Sequence, residues 1–125
     1  MRVIMAFIIL SLAVLFIAFI AFVPNARLAA AQTVLVTKVI DGDTLVVEGG
    51  DHVRLLGVDS DEKGYPCFNT AKLGLEDIVL NRRVMLEIEN EDKDSYGRLL
   101  QWIWLNDTLV NFAMVKSGLA VSRFY

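Results

Sequence analysis

Residues 33–58 read TVLVTKVIDGDTLVVEGGDHVRLLGV, three runs rich in β-branched residues separated by two glycine-containing turns. Branching at Cβ restricts χ1 and suits a pleated, half-buried backbone, so Thr33–Ile40, Thr44–Glu48 and His52–Val58 are expected strands. Asp41-Gly42-Asp43 and Gly49-Gly50-Asp51 supply the turns between them. Gly57 interrupts the third run and is expected to mark a bulge.

Outward from this stretch the pattern changes. Asp59–Pro66 is polar and turn-rich, a loop. From Cys67 to Leu80 the apolar residues Ala71, Leu75, Ile78 and Val79 fall at helical spacing, with Asn81 as the expected C-cap. Val84–Ile88 alternates as a strand, Glu89–Gly97 is a charged loop, and Arg98–Leu105 is a fifth strand. Asn106-Asp107 turns the chain into a short helix, Leu109–Ser117, closed by Gly118. Five short strands with a helix between the third and fourth predict a mainly β, α+β domain. Its expected form is a small, partly open barrel of the oligonucleotide-binding (OB-fold) type.

The N-terminal side is different in kind. Val3–Val23 is an apolar run in which Ser11 is the one clearly polar residue, and a helix through it would be about 30 Å long, enough to cross a bilayer. Ala29-Ala30-Ala31 follows the helix-breaking Pro24 as an A-x-A cleavage site. Residues 1–31 are therefore expected to be a signal peptide or a membrane anchor, and residues 33–125 a single exported domain, secreted or held at the membrane. Removing Arg2 and Arg27 with the leader leaves ten basic residues against fifteen acidic ones, a formal −5. Net charge alone does not draw such a domain to a polyanion, so nucleic-acid chemistry needs a local basic site or a bound cation. With Cys67 as the sole cysteine, no internal disulfide or thiolate metal cluster can form, and Cys67 is read as a small buried filler.

Three segments gather charge at expected strand ends: Asp41-Gly42-Asp43-Thr44, Arg54 through Glu62, and Asp94-Ser95-Tyr96-Gly97-Arg98. Cutting a phosphodiester needs a hard cation, an activated water and donors for the phosphate oxygens. Asp43 and Asp59 offer carboxylate oxygens of the kind Ca²⁺ prefers. Glu62 can orient or deprotonate a water, and Arg54 and Arg98 present planar forks that fit phosphate and keep their charge. Taken singly, each segment also reads as an ordinary turn, acidic loop or strand arginine; their order and spacing carry the signal. His52 is read as a solvent-facing strand residue, Trp102 and Trp104 as packing on one strand face, and Met85 and Met114 as core filler.

Between Val34 and Ala120 the chain carries V-I-D-G-D-T-L, R-L-L-G-V-D-S-D-E, D-S-Y-G-R-L-L and L-V-N-F-A-M-V-K-S-G-L-A, and in these motifs it resembles the thermonucleases, or staphylococcal-nuclease-like domains. The resemblance implies a five-stranded OB-fold barrel that cleaves DNA and RNA with Ca²⁺ to 3′-phosphates, acting as a monomer. It implies Asp43, Asp59 and the Ser60 backbone carbonyl as calcium ligands, with Asp41 a nearby supporting carboxylate. Arg54, Glu62 and Arg98 fall where the family's catalytic residues lie.

Two departures stand out. Asp61 replaces the proline of the usual D-T-P-E, which loosens Glu62 or gives the ion another oxygen. The sequence also stops at Tyr125, where members of the family continue into an aromatic segment and a third helix. The resemblance thus implies a C-terminally incomplete domain in which Phe124 and Tyr125 keep part of a base-stacking surface. The competing expectation is a tethered nucleic-acid-binding barrel that has lost turnover.

Overall fold

The computed structural model describes residues 33–89 and 93–123. The leader, and with it the anchor or signal-peptide reading, lies outside the described residues, as do Phe124 and Tyr125. Among the described residues no helix is long and apolar enough to cross a membrane.

The three β-branched runs fold as read, as β1 (Thr33–Val39), β2 (Thr44–Val47) and β3 (His52–Leu55), each antiparallel to its predecessor. β1 is shared by two partners. Thr33–Leu35 pair with β5 (Arg83–Glu87), and Val36–Val39 pair with β2, with a register shift between Val36 and Lys38. An irregularity of this kind bends a strand and lets it turn a barrel corner. β5 runs antiparallel to β6 (Leu99–Leu105), which also pairs with the two-residue β7 (Thr108–Leu109). β6 lies parallel to β3, with Val53 opposite Leu99 and Leu55 opposite Gln101. That last pairing closes the ring β3-β2-β1-β5-β6 into a five-stranded barrel. The expected OB-type barrel is present, and it is closed where the strand count pointed to a partly open one.

Helix α1 (Phe68–Val79) buries Ala71, Leu75 and Val79, a stripe at four-residue spacing, against a core that includes Val36, Leu45, Val53, Val84 and Ile103. Gly74 admits Leu119 at a distance that leaves no room for a Cβ. Helix α2 (Val110–Lys116) adds Val110 and Met114 to the same core. Its buried Asn111 takes the Ile103 N–H at 2.8 Å and donates to the carbonyls of Leu56 and Gln101. One side chain thus ties α2, β6 and the turn after β3 together.

Four expectations change. Gly57, at φ +66°, forms a tight corner with Leu56 in place of a bulge, and the chain beyond it starts a separate strand, β4 (Val58–Asp59). β4 pairs with β8 (Val121–Ser122), a two-residue ribbon that no periodicity announces. The C-cap of α1 is Leu80; Asn81, one residue on, takes the left-handed conformation at φ 60°. Cys67 is exposed, because it sits at the surface start of α1 and its backbone N–H is held by Asp61. His52 is solvent-facing and Met114 fully buried, as read, while Met85 is partly buried. Trp102 and Trp104 lie partly buried on one face of β6, with the Trp104 indole donating to Glu87.

Asn111→Leu keeps the branched skeleton but strands the buried Ile103 N–H and takes the Asn111 donor from the Leu56 carbonyl, while the Gln101 carbonyl keeps the Leu56 N–H. The substitution should destabilise the fold by about 3 kcal/mol. Urea denaturation measures this, and an unchanged midpoint would show that the network contributes nothing.

Candidate active site

Barrel register sets the site. Thr44 at the start of β2 lies opposite Arg54 in β3, which brings the Asp41-Gly42-Asp43 turn beside the Arg54 side chain. The Gly57 corner then returns β4 over the same region, so Asp59 and Ser60 arrive on the other side of Arg54. The turn approaches closely. A Cβ on Gly42 would lie 2.6 Å from the Cβ of Ala71 and 2.7 Å from that of Ser60, so no larger residue fits.

Asp43 is buried, with 6% of its surface exposed, and its carboxylate is fully engaged. Oδ2 accepts the backbone N–H of Ser60 at 2.8 Å and its hydroxyl at 3.2 Å. Oδ1 accepts the Thr44 hydroxyl at 2.9 Å and faces Arg54 Nη1 at 3.0 Å. Arg54 also donates to the Val58 carbonyl at 2.8 Å and, through Nη2, to Asp59 Oδ1 at 3.3 Å. The other Asp59 oxygen pairs with Arg123, which the β4–β8 ribbon delivers: its backbone N–H bonds the Gly57 carbonyl. Asp41 accepts the Asp43 N–H at 3.0 Å. Burial pushes the Asp41 carboxyl above its ordinary range, and the negative charge of Asp43 adds to that.

Arg98 reaches the same place from the opposite end of the barrel sequence. Its Nε donates to Asp94 Oδ2 at 2.7 Å, its guanidinium lies 5.4 Å from the Tyr96 ring centroid, and Nη1 is 3.5 Å from the Thr44 hydroxyl oxygen. Asp94 also accepts the backbone N–H groups of Tyr96 and Arg98, which closes the turn ahead of β6.

A pocket of about 230 Å³ collects these groups. Asp41, Asp43, Asp59, Ser60 and Asp61 line it together with Glu62, Arg54, Arg98 and Arg123. Every side chain singled out in the sequence for metal or phosphate chemistry therefore faces one cavity, with both Arg54 and Arg98 on it. Asp61, where a proline was expected, uses its carboxylate to accept the Cys67 N–H at 3.0 Å, and so braces the loop that carries Glu62. Glu62 itself is exposed on that loop.

Sequence reading passed over two participants. Thr44 links Asp43 to Arg98, and Arg123 lies in a tail with no periodic signal, where only the ribbon pairing could reveal it. Among the described residues no group of three or more His, Cys, Asp or Glu side chains is spaced to grip a metal ion as it stands. Asp43 and Asp59 meet across the Arg54 guanidinium instead.

Residues 52–125 match the family described as staphylococcal nuclease homologue. The chain is 40% identical over 103 residues to a thermonuclease of Staphylococcus intermedius, covering 75% of this chain and 61% of that protein. Against a thermonuclease of Staphylococcus hyicus it is 36% identical over 106 residues, covering 78% and 63%. Protein ParB of Escherichia coli is 36% identical over 97 residues, covering 68% of this chain and 54% of ParB. This chain belongs to the staphylococcal nuclease homologue family, and it spans less than two thirds of the length of these curated relatives.

The Asp94 carboxyl is held below its usual range. Its burial, the largest single influence, works the other way. The Arg98 side chain, with the backbone N–H groups of Arg98 and Tyr96, outweighs it. A carboxyl depressed in the folded state adds stability above its unfolded pKa and loses it as pH falls through the folded value. Asp94→Asn should thus be less stable than the parent at neutral pH, and the gap should narrow as pH falls below about 4, the ordinary carboxyl value. Denaturation midpoints across pH check this; a gap that stays constant would remove the ionised pair from the account.

Proposed function

We propose that this chain is a calcium-dependent phosphodiesterase that cuts DNA and RNA internally and leaves 3′-phosphates. The observation that carries the reading is the single pocket shared by four aspartates, Glu62 and the guanidiniums of Arg54 and Arg98. The thermonuclease name of two relatives points the same way.

The donor set suits a hard divalent cation. Asp43, Asp59 and the Ser60 carbonyl offer only oxygen, and Asp41, hydrogen-bonded to the Asp43 N–H, lines the same pocket. When bound there, Ca²⁺ would supply positive charge for the phosphate oxygens and for the attacking water. The remaining work falls to the chain. Glu62 accepts the proton of the water as it attacks phosphorus. Arg54 and Arg98 donate N–H groups to the non-bridging oxygens as their charge grows, and Asp94 and Tyr96 hold Arg98 in place for it. The P–O5′ bond breaks, its electron pair leaves with the 5′ oxygen, and solvent returns a proton to it.

An adjoining hollow of about 250 Å³ shares Arg54, Arg98 and Arg123 with the pocket and adds Leu100 and Tyr96, which is 84% exposed. An apolar seat beside three guanidiniums suits a nucleotide, base against Tyr96 and phosphate at the arginines. One observation favours the second reading, binding without turnover: both Asp59 oxygens are taken by Arg54 and Arg123. An ion at Asp59 would compete with both guanidiniums for those oxygens.

Digestion of single-stranded DNA in millimolar Ca²⁺ separates the two. The purified protein should cleave, and a calcium chelator should stop it. Glu62→Gln should lower turnover at least about a hundredfold with binding largely kept. Full activity in that variant would take Glu62 out of the mechanism, and binding without cleavage by the parent protein would favour the binding module.

The export reading extends this proposal to location. The leader is removed after Ala31, so the mature protein should begin near Gln32 on N-terminal sequencing. A chain that keeps Met1 and stays in the membrane fraction is anchored instead.

A further inference from the structure

The nucleotide-sized hollow adjoins the acidic pocket through its arginines. A second depression, of about 550 Å³, adjoins it through a different wall, Asp41 and Glu62. Lys38 of β1, Lys63 of the Glu62 loop and Lys72 of α1 line this depression, with Phe68 among them. Lys38 and Lys63 are exposed; Lys72 is half-buried, its Nζ 3.9 Å from Glu76 in a long i,i+4 pair. Three separate elements, a strand, a loop and a helix, thus converge their lysines on one surface.

The distribution of charge gives this weight. Of the ten basic side chains beyond the leader, six line these three connected hollows: Lys38, Lys63 and Lys72, and Arg54, Arg98 and Arg123. A domain with a formal −5 has gathered most of its positive charge around three adjoining hollows, with the acidic pocket sharing residues with each of the other two. Scattered solubilising lysines would not cluster in this way. The carboxylates of Asp41 and Glu62 at the shared wall repel phosphate, so a strand leaving the pocket meets its next favourable phosphate contacts at the three lysines. Phe68 offers a base an apolar surface there.

We propose that the lysine-lined depression is a groove for single-stranded polynucleotide, so that the protein grips the strand on both sides of the bond it cuts. This rests on the nuclease reading and adds a direction to it. The substrate must extend past the pocket toward Lys38, Lys63 and Lys72. A dinucleotide is then a poor substrate that leaves the groove empty.

The test uses the full chain and a labelled oligothymidylate of about a dozen nucleotides. Binding is read by fluorescence anisotropy over a salt series with calcium chelated. The Lys38→Gln, Lys63→Gln, Lys72→Gln triple variant should bind at least about tenfold more weakly, with the salt dependence reduced by about two phosphate contacts. Cleavage of a thymidine dinucleotide in Ca²⁺ should be unchanged in that variant while KM for the oligomer rises. Arginine at the same three positions should restore binding, and Lys116→Gln, on α2 away from all three hollows, should leave it intact. Parent affinity and salt slope in the triple glutamine variant would overturn the groove. So would an equal loss on the dinucleotide and the oligomer. If the parent cleaves neither, the nuclease reading fails while the anisotropy comparison still decides the groove.

Discussion

The guanidinium of Arg54 stands between the carboxylates of Asp43 and Asp59, and the arrangement around it follows from that bridge. Two carboxylates brought together in a partly buried space repel each other, and a guanidinium between them offsets that repulsion. Ionised groups taken from water cost several kcal/mol each unless their remaining lone pairs find donors. Ser60 and Thr44 supply those donors for Asp43, and this constrains the backbone. The β2–β3 register must set Thr44 against Arg54, the Gly57 corner must fold β4 back, and Gly42 must stay small enough to let the turn close on Ser60. The same charge balance that stabilises the fold poises the pocket. A divalent ion or a phosphate would enter by exchanging with contacts that the guanidiniums now make.

Much of this was legible in the residues, for reasons that differ from part to part. The strands of residues 33–55 could be read because β-branched runs and Gly-Asp turns act locally. The α1 stripe could be read because Ala71, Leu75 and Val79 repeat at a fixed interval. The convergence of Asp43, Arg54, Asp59, Glu62 and Arg98 on one cavity agrees with their spacing at strand ends. What stayed hidden was non-local or very short. Two-residue strands such as β4 and β8 have no period to detect, so Arg123 gave no signal. Gly57 looked like a bulge because a strand pattern resumes after it, and only the change of pairing partner makes it a corner. Cys67 looked buried because free cysteines usually are; its place at a helix start on the surface depends on Asp61, six residues earlier.

Asp61 also shows how a departure from a pattern can be absorbed. A proline stiffens a loop by restricting one dihedral angle. Here an aspartate ties the loop by bonding forward to the first turn of α1. The restraint on Glu62 changes from covalent to polar, and it rests on one hydrogen bond between the Asp61 side chain and the Cys67 N–H.

The ribbon of β4 with β8 has a consequence for the order of assembly. Asp59 is secured by a residue 64 positions further along the chain, through strands of two residues each. Closing so long a loop for so few bonds is entropically expensive until the barrel already holds the ends near each other. The Asp59–Arg123 contact therefore forms after the barrel. A chain still emerging during synthesis folds its scaffold first, and Asp59 is held by Arg54 alone until residues 121–123 dock.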